Sequence, residues 1–399
     1  MGTQQLAQTT ASRAAPELRV EVCSDAETLE GLRADWRALA DRSTICSASH
    51  TPDYVLFAWD GLRGHGDTAL AVVLVWRGDR LACVWPLYTR KRGGLRVATH
   101  LGTGSNEEYS GPLLDEADRE PRALAGAALA SAMRLADVLE VYAVNPASAI
   151  VGALNAAGGA RYVNAELHAP VVTLTTAADF DTWVMGKSRS FRQGLRADRK
   201  RLGEQGRVHL VQASGRDEAA ALVDWIFESK KGWLAARGIT HSWLLEPEGR
   251  QLLTRLIARP AAAERAADVL GFGLKLDDKF LAGGVFFRSH GRLEFFVSGF
   301  DPEFYAYSPG NLLIEDVVRW AIPERLDLDF RTTQDAYKLR WADRQDSRET
   351  HILACSAPGV LRVVRLELNR VVRRARMAAS GLRKRYAASK KATAISPKS

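Results

Sequence analysis

The apolar positions run twice through the same order of elements. After a low-hydrophobicity leader over residues 1–15, Leu29, Leu32, Trp36 and Leu39 recur at spacings of three and four, which predicts a helix; Ser24-Asp25-Ala26-Glu27 reads as its capping box. A short helical stretch follows at Thr51–Trp59. Three β-rich runs, Thr68–Trp76, Arg80–Tyr88 and Leu95–Gly102, are separated by Arg-Gly-Asp and Arg-Gly-Gly turns and read as an antiparallel meander. Then come an Ala-rich helix from Pro121 to Leu139, a strand at Leu139–Val144, a helix at Ala149–Gly158 and a strand at Arg161–Thr175.

The second half repeats this order. Helical stretches at Asp179–Leu202, Asp217–Gly238 and Glu248–Arg259 precede strand runs Val269–Asp277, Phe280–Ser289 and Arg292–Phe300, with turns at Asp277-Asp278 and His290-Gly291. A Gly-, Pro- and aromatic-rich loop then enters a helix, with Ser308 as side-chain cap, Pro309 in the first turn, Leu312, Leu313, Val317 and Trp320 at helical spacing, and Pro323 as the stop. A strand at Arg325–Thr332, a helical turn at Asp335–Trp341 and a strand at Glu349–Ser356 complete it. Short matches support a duplication: Leu81-Ala82 with Leu281-Ala282, and Gly111-Pro112-Leu113-Leu114 with Pro309-Gly310-Asn311-Leu312-Leu313. The reading is α/β (α+β): two tandem units, 16–170 and 171–358, each a mixed, mostly antiparallel sheet flanked by helices, and a basic tail over 359–399.

Composition narrows the classes. At 399 residues, with 46% hydrophobic and 26% charged, the chain has room for two or three domains and is unlike disordered or membrane compositions. Cys23, Cys46, Cys83 and Cys355 form no Cys-x-x-Cys pair and have no His ligands nearby, so neither a disulfide framework nor a metal site is expected, and a reducing cytoplasm is. No charged start leads into an apolar run, and nothing approaches the roughly 18 consecutive apolar residues of a spanning helix. Charge, however, is uneven. Leu361–Ser399 holds twelve Lys or Arg against Glu367 alone, +11, which leaves −3 for the rest of a chain of net +8. With Leu361, Val364, Leu368 and Val371 on one side, this segment reads first as a solvated, partly helical tail, with contact to anionic lipid or an acidic partner as the alternative; no nucleic-acid motif is present.

Four stretches of the second half carry a resemblance: SRSFRQGLRADRKRLGEQG from Ser188, LAGGVFF from Leu281, FVSGFDPEFYAYSPGNLL from Phe296 and LDFRTTQDAYKLRW from Leu328. Together they resemble the CelD/BcsL family of GNAT-like proteins, associated with bacterial cellulose and exopolysaccharide production and akin to the FemABX aminoacyl ligases. The resemblance implies tandem GNAT (acyl-CoA N-acyltransferase) units with the chemistry in the second. An acyl thioester, from acetyl-CoA or another acyl-CoA as co-substrate, would lie in a splay between strands Arg292–Gly299 and Leu326–Arg331. Backbone N–H groups at Val297, Ser298 and Gly299 would face the thioester oxygen, and the loop Tyr307, Ser308, Pro309, Gly310 and Asn311 would hold the diphosphate. Two departures stand out: the loop has one glycine where the general pattern has two, and Thr333-Gln334-Asp335 stands where the family more often has Gly-Asp-Glu.

Candidate residues follow. Asp329 and Asp335 are the carboxylates nearest the splay, as bases or as a strand-end partner and a turn cap, while Asp301 organises its loop. Tyr337 and Trp341 would share a face of their turn, leaving Lys338 to reach a phosphate or an oxyanion. Arg189, Arg192, Arg196 and Arg199 share a helical face suited to a phosphorylated or carboxylated ligand, or to solvent. Trp225, Trp233 and Trp243 with His241 would line an acceptor cleft or pack in the core. The expected acceptor is a small molecule or glycan precursor. The competing readings are a FemABX-like transferase using charged tRNA, whose usual long helical-hairpin arm is not evident, and a degenerate scaffold that binds a nucleotide or protein.

Overall fold

Asp25, not Ser24, caps the first helix: its carboxylate accepts from the Thr28 backbone N–H at 2.7 Å and from the Thr28 hydroxyl at 2.6 Å. A computed structural model describes residues 17–105, 108–240, 242–259, 268–332, 335–372 and 374–375; the leader, His241, Gln334 and the end of the tail lie outside the described residues. The first half comprises β1 (Leu18–Cys23), α1 (Ala26–Gly31), α2 (Arg33–Arg42), α3 (Pro52–Leu62), β2 (Ala69–Leu70), β3 (Val72–Arg77), β4 (Arg80–Trp85), β5 (Leu87–Arg92), β6 (Leu95–His100) and β7 (Leu113–Leu114). It ends with α4 (Pro121–Ala132), β8 (Val138–Val144), α5 (Ala149–Ala156) and β9 (Arg161–Val172). The second half has α6 (Phe180–Met185), α7 (Arg189–Gly203), β10 (Val208–Gln212), α8 (Gly215–Ala235), α9 (Pro247–Ile257), β11 (Asp268–Leu276), β12 (Lys279–Ser289) and β13 (Arg292–Phe300). It continues with α10 (Pro309–Ala321), β14 (Asp327–Asp329), α11 (Ala336–Trp341) and β15 (Arg344–Ala354), and a final helix, α12, covers 357–372.

The expected first meander is broken between two sheets. Pro86 has no N–H for a ladder, and the chain steps there from β4, paired with β3, to β5, paired with β6 in the other sheet. Leu113-Leu114 is likewise a strand against β4, so its likeness to Leu312-Leu313 is not structural equivalence. The sequence reading also missed β10, a five-residue strand at the end of the sheet, too short for the alternation of Val208 and Leu210, which pack partly buried on the core, to stand out. β15 begins at Arg344 rather than Glu349 because its polar first residues pair along β9.

The large sheet runs β10-β11-β12-β13-β14-β9-β15-β8-β6-β5-β2, and a second sheet runs β1-β3-β4-β7. Each half therefore gives its last strand to the other: β9 lies beside β14, and β15 beside β8. Both halves also contain one parallel pair, β6–β8 and β13–β14. This is a mixed α/β architecture, with sheets flanked by helices. On one face, Trp36, Leu39 and Tyr54 of the first half share a core with Leu222, Ile226, Leu252, Phe287 and Phe296 of the second, so the halves are welded by packing as well as by pairing.

In LAGGVFF, Gly283 lets α8 lie flat on the sheet. A Cβ there would come within 2.9 Å of Leu222 Cδ1 and 3.0 Å of Ile226 Cγ1. Gly283→Ala should lower unfolding free energy by ~1–3 kcal/mol, the usual cost of overpacking, measured by urea denaturation; an unchanged midpoint would show that α8 yields freely.

Candidate functional site

β13 and β14 start side by side and then part. Their parallel register covers Arg292↔Asp327, Leu293↔Leu328 and Glu294↔Asp329 and stops there. Beyond it Phe330 donates its N–H to Pro170 on the β9 side at 2.9 Å, while β13 continues to Phe300. Phe296 is an extra residue in β13, since Val285 pairs with Val297 and Phe286 with Phe295. The result is a splay: past Glu294, no strand among the described residues pairs with β13 on its β14 side.

Where β13 ends, a 3-10 turn (Pro302–Tyr307) leads to Ser308, and α10 starts. Ser308 is left-handed, φ 52° and ψ 48°, and its side chain makes no capping hydrogen bond, which corrects the expected Ser308 cap. Its backbone has to reverse the 3-10 turn into α10, and only its carbonyl serves the helix, accepting from Asn311 and Leu312 N–H at 2.9 and 3.2 Å. Pro309 has no N–H and the Asn311 and Leu312 amides are taken by that carbonyl, so the Gly310 N–H is the first-turn donor with no acceptor among the described residues, and the space above Gly310 is open. Such an N-terminus favours an anion. Asn311 is committed elsewhere, its Oδ1 accepting from Trp341 Nε1 at 3.1 Å. Arg201, which the sequence reading passed over, reaches this loop by donating to the Ala306 carbonyl at 2.9 Å, with its guanidinium 5.8 Å from the Tyr307 ring centre.

At the closed end of the splay lies a buried charge network. Asp329 is fully buried, accepts from the Tyr109 hydroxyl at 2.8 Å and the Arg331 N–H at 2.7 Å, and pairs with Arg292 and, at 3.8 Å, Arg348. Burial alone would raise its pKa, but Arg292 and Arg348 outweigh that and hold it below the ordinary carboxylate value. Arg331, φ 59° and 1% exposed, donates from Nη1 to Glu294 at 2.9 Å and lies over Tyr109 and Phe296, 4.8 and 5.0 Å from their ring centres. Glu294 responds the other way from Asp329: burial raises its pKa by more than Arg331 pulls it down. Sequence reasoning missed Glu294, whose only signal was a carboxylate inside the apolar run Leu293–Val297.

Glu294 opens on a cavity of about 120 Å³ between the halves, where Arg292, Arg348, Tyr109, His50 and His290 also line the wall. That is smaller than the roughly 300–1,000 Å³ of whole-ligand pockets. His50 is no proton carrier here: its Nδ1 accepts from the Ser47 N–H at 3.2 Å, its Nε2 donates to the Gly111 carbonyl at 2.7 Å, and burial lowers its pKa to about 3. A larger cavity, of about 430 Å³, lies away from the splay by Arg42, Arg77 and Arg80, which are paired with Asp115 and Asp118.

The other predicted residues are spread out. Val297, Ser298 and Gly299 lie on the stretch of β13 that pairs with β12 but has run past its β14 partner, with Gly299 held under Ser229 of α8. Lys338, expected to point away from the Tyr337 and Trp341 face toward a phosphate or an oxyanion, is instead buried with Trp341, and its Nζ donates to the Phe330 carbonyl at 3.1 Å, because Trp341 must reach Phe191 and Trp183 in the core. Tyr337 is half-buried with its ring 6.3 Å from Phe330, and Asp335 is exposed, its carbonyl accepting from the Lys338 N–H at 3.0 Å. The Arg face is divided in use. Arg192 donates to the Met185 and Lys187 carbonyls, Arg199 pairs with Glu315 and Asp316, and Arg189 and Arg196 are exposed. Nor do the tryptophans form one cleft: Trp243 packs on Phe296, Trp225 on Phe280, and Trp233 is 40% exposed beneath Arg237.

Residues 189–339 match the family model described as an acetyltransferase (GNAT) domain. The splay, the bulge and the helix start all fall inside that segment, and the match supports a GNAT-type acyltransferase. FemX is similar in structure at 11% identity, with 80% of this chain and 95% of that chain covered and a TM-score of 0.56. L-PGS from Bacillus licheniformis is similar at 13% identity, with 88% and 97% covered and a TM-score of 0.51. The C-terminal domain of a putative lysylphosphatidylglycerol synthetase from Agrobacterium fabrum gives 12%, 85% and 95%, and 0.50. At these identities the likeness is one of fold. No curated protein matches in sequence.

Proposed function

We propose that this chain transfers an acyl group, acetyl in the simplest case, from acyl-CoA to an amine or hydroxyl of a sugar, glycan precursor or similar metabolite, as a CelD/BcsL-like enzyme. The observation that carries the reading is the splay, because it leaves backbone donors on β13 facing an opening where a thioester oxygen gains charge. The diphosphate would rest on the start of α10 beside Arg201. The acceptor would enter from the cavity between the halves. Its nitrogen or oxygen attacks the thioester carbon, the new bond forms as C–S breaks, Glu294 takes the acceptor's proton, and Tyr337 returns one to the thiolate. Asp329, held ionised below the ordinary range, is a poor base, and positions Arg292 and Arg331 instead. Lys338 secures the end of β14 through Phe330, and Asp335 caps the following turn through its carbonyl alone, its side chain making no capping hydrogen bond, which corrects the expected Asp335 cap. Arg189, Arg196 and Trp233 remain candidates for the outer parts of a ligand.

Titrating acetyl-CoA against a panel of amine and hydroxyl acceptors, with free thiol as readout, tests this; no thiol release and no thermal shift would overturn it. A second reading, aminoacyl transfer from a charged tRNA, is favoured by the fold shared with FemX across 80% of this chain. Label moving from aminoacyl-tRNA, with none from acyl-CoA, would select it. Gly310→Glu gives a sharper test of the donor site. A carboxylate in the first turn of α10 suits the helix dipole, so stability should hold or rise by ~0.3–1 kcal/mol, whereas the diphosphate is repelled. KM for acyl-CoA should rise about tenfold or more with kcat little changed; an unaltered KM would move the diphosphate elsewhere.

A further inference from the structure

The final helix is clamped to the sheet by one face and bare on the other. Its inner side, Val363 and Leu366, packs on Val97, Val138, Ile352 and Tyr162. Gly359 sits against the Asp137 carbonyl, which a Cβ would meet at 2.1 Å, and the Ser356 hydroxyl donates to Asp137 at 2.5 Å. Arg370 donates to the Val163 carbonyl at 2.7 Å, with its guanidinium 5.2 Å from the Tyr162 ring centre. The helix therefore cannot roll to bury its other side. That side carries Val360, Leu361, Val364, Leu368, Val371 and Val372, which at 100° per residue fall within an arc of about 120° containing no polar residue. Leu361 is 74% exposed, and Leu368 and Val371 are 60% exposed.

We propose that α12 docks flat on an anionic lipid surface, with this apolar stripe in the headgroup and acyl boundary. Charge identifies the occupant. Exposed Arg365 edges the stripe on one side, while on the other Glu367 is offset by its pair with Arg370; Lys91 (paired with Asp67), Arg92 and Arg96 are exposed on the neighbouring β5–β6 hairpin whose Leu95 packs in the same small core, and Leu361–Ser399 totals +11. A second copy of the chain would set two such cationic segments against each other. A bilayer bearing negative headgroups takes both the apolar stripe and its cationic border. The helix is not a spanning one: no described helix is long and apolar enough to cross a membrane.

The test is flotation of the full chain with vesicles of phosphatidylcholine alone, or mixed with phosphatidylglycerol, at low and high salt, alongside sedimentation velocity. The chain should float only with the anionic vesicles, and less so as salt rises. Leu361→Gln with Leu368→Gln should cut binding about tenfold or more without changing the melting temperature, since both side chains face solvent. Failure to float would overturn the proposal. Undiminished flotation of the double variant would overturn it in favour of the basic tail alone, and a dimer that the same variant dissolves, without flotation, would assign the stripe to a second copy.

Discussion

Glu294→Gln should lower kcat by ~10²–10⁴-fold, the range that a positioned general base contributes, while leaving KM for acyl-CoA within about twofold because the proposed donor site lies beyond the bulge. Gln keeps the volume and an acceptor oxygen for Arg331, so the effect separates proton transfer from packing. The pH profile supplies the second readout. Burial raises the Glu294 pKa above its ordinary 4.5 by more than Arg331 lowers it. As a base it works only when deprotonated, so the wild-type rate should climb as pH rises through that raised value. The variant should lack this limb and keep only the acceptor's own ionisation. A Glu294→Gln enzyme with an unaltered rate and profile would exclude Glu294, and the proton would then have to leave through water.

The order of elements was legible because apolar spacing changes period at each boundary, and the tandem reading rested on that order. What escaped was set by partners distant in sequence. Pro86 marks a break, but nothing local says that the strands on either side of it join different sheets. The exchange of β9 and β15 depends on edges left open by β14 and β8, which no window of residues contains. The candidate site divides in the same way. That Val297–Gly299 stand on a strand and Ser308–Asn311 at a helix start was legible from the motif around them. Lys338 was misplaced because a six-residue turn has two possible inner faces, and the core's need for Trp341 chose the one that buries the lysine. Glu294 was hidden inside an apolar run, and its importance came from Arg331, 37 residues on, and from first-half residues such as Tyr109 and His50 across the cavity.

Arg331→Met should cost ~3–5 kcal/mol of stability near neutral pH, because removing one partner of a buried pair leaves the other charge uncompensated. Both members are 1% exposed, and Arg331 is the strongest influence holding the Glu294 pKa down. The sign with pH follows from linkage. A carboxyl with a raised folded pKa contributes its stability in full below its unfolded value, and loses it as pH rises through the folded value. Without Arg331 that folded value climbs further, so the variant pays for Glu294 over a wider window above 4.5. The gap between wild type and variant in urea denaturation should therefore be smallest in acid, where Glu294 is protonated in both proteins, and should widen toward neutrality. The rising limb of any activity should shift to higher pH in parallel. A gap that stays constant with pH would mean that Arg331 serves only as packing between Tyr109 and Phe296, and that Glu294 titrates independently of it.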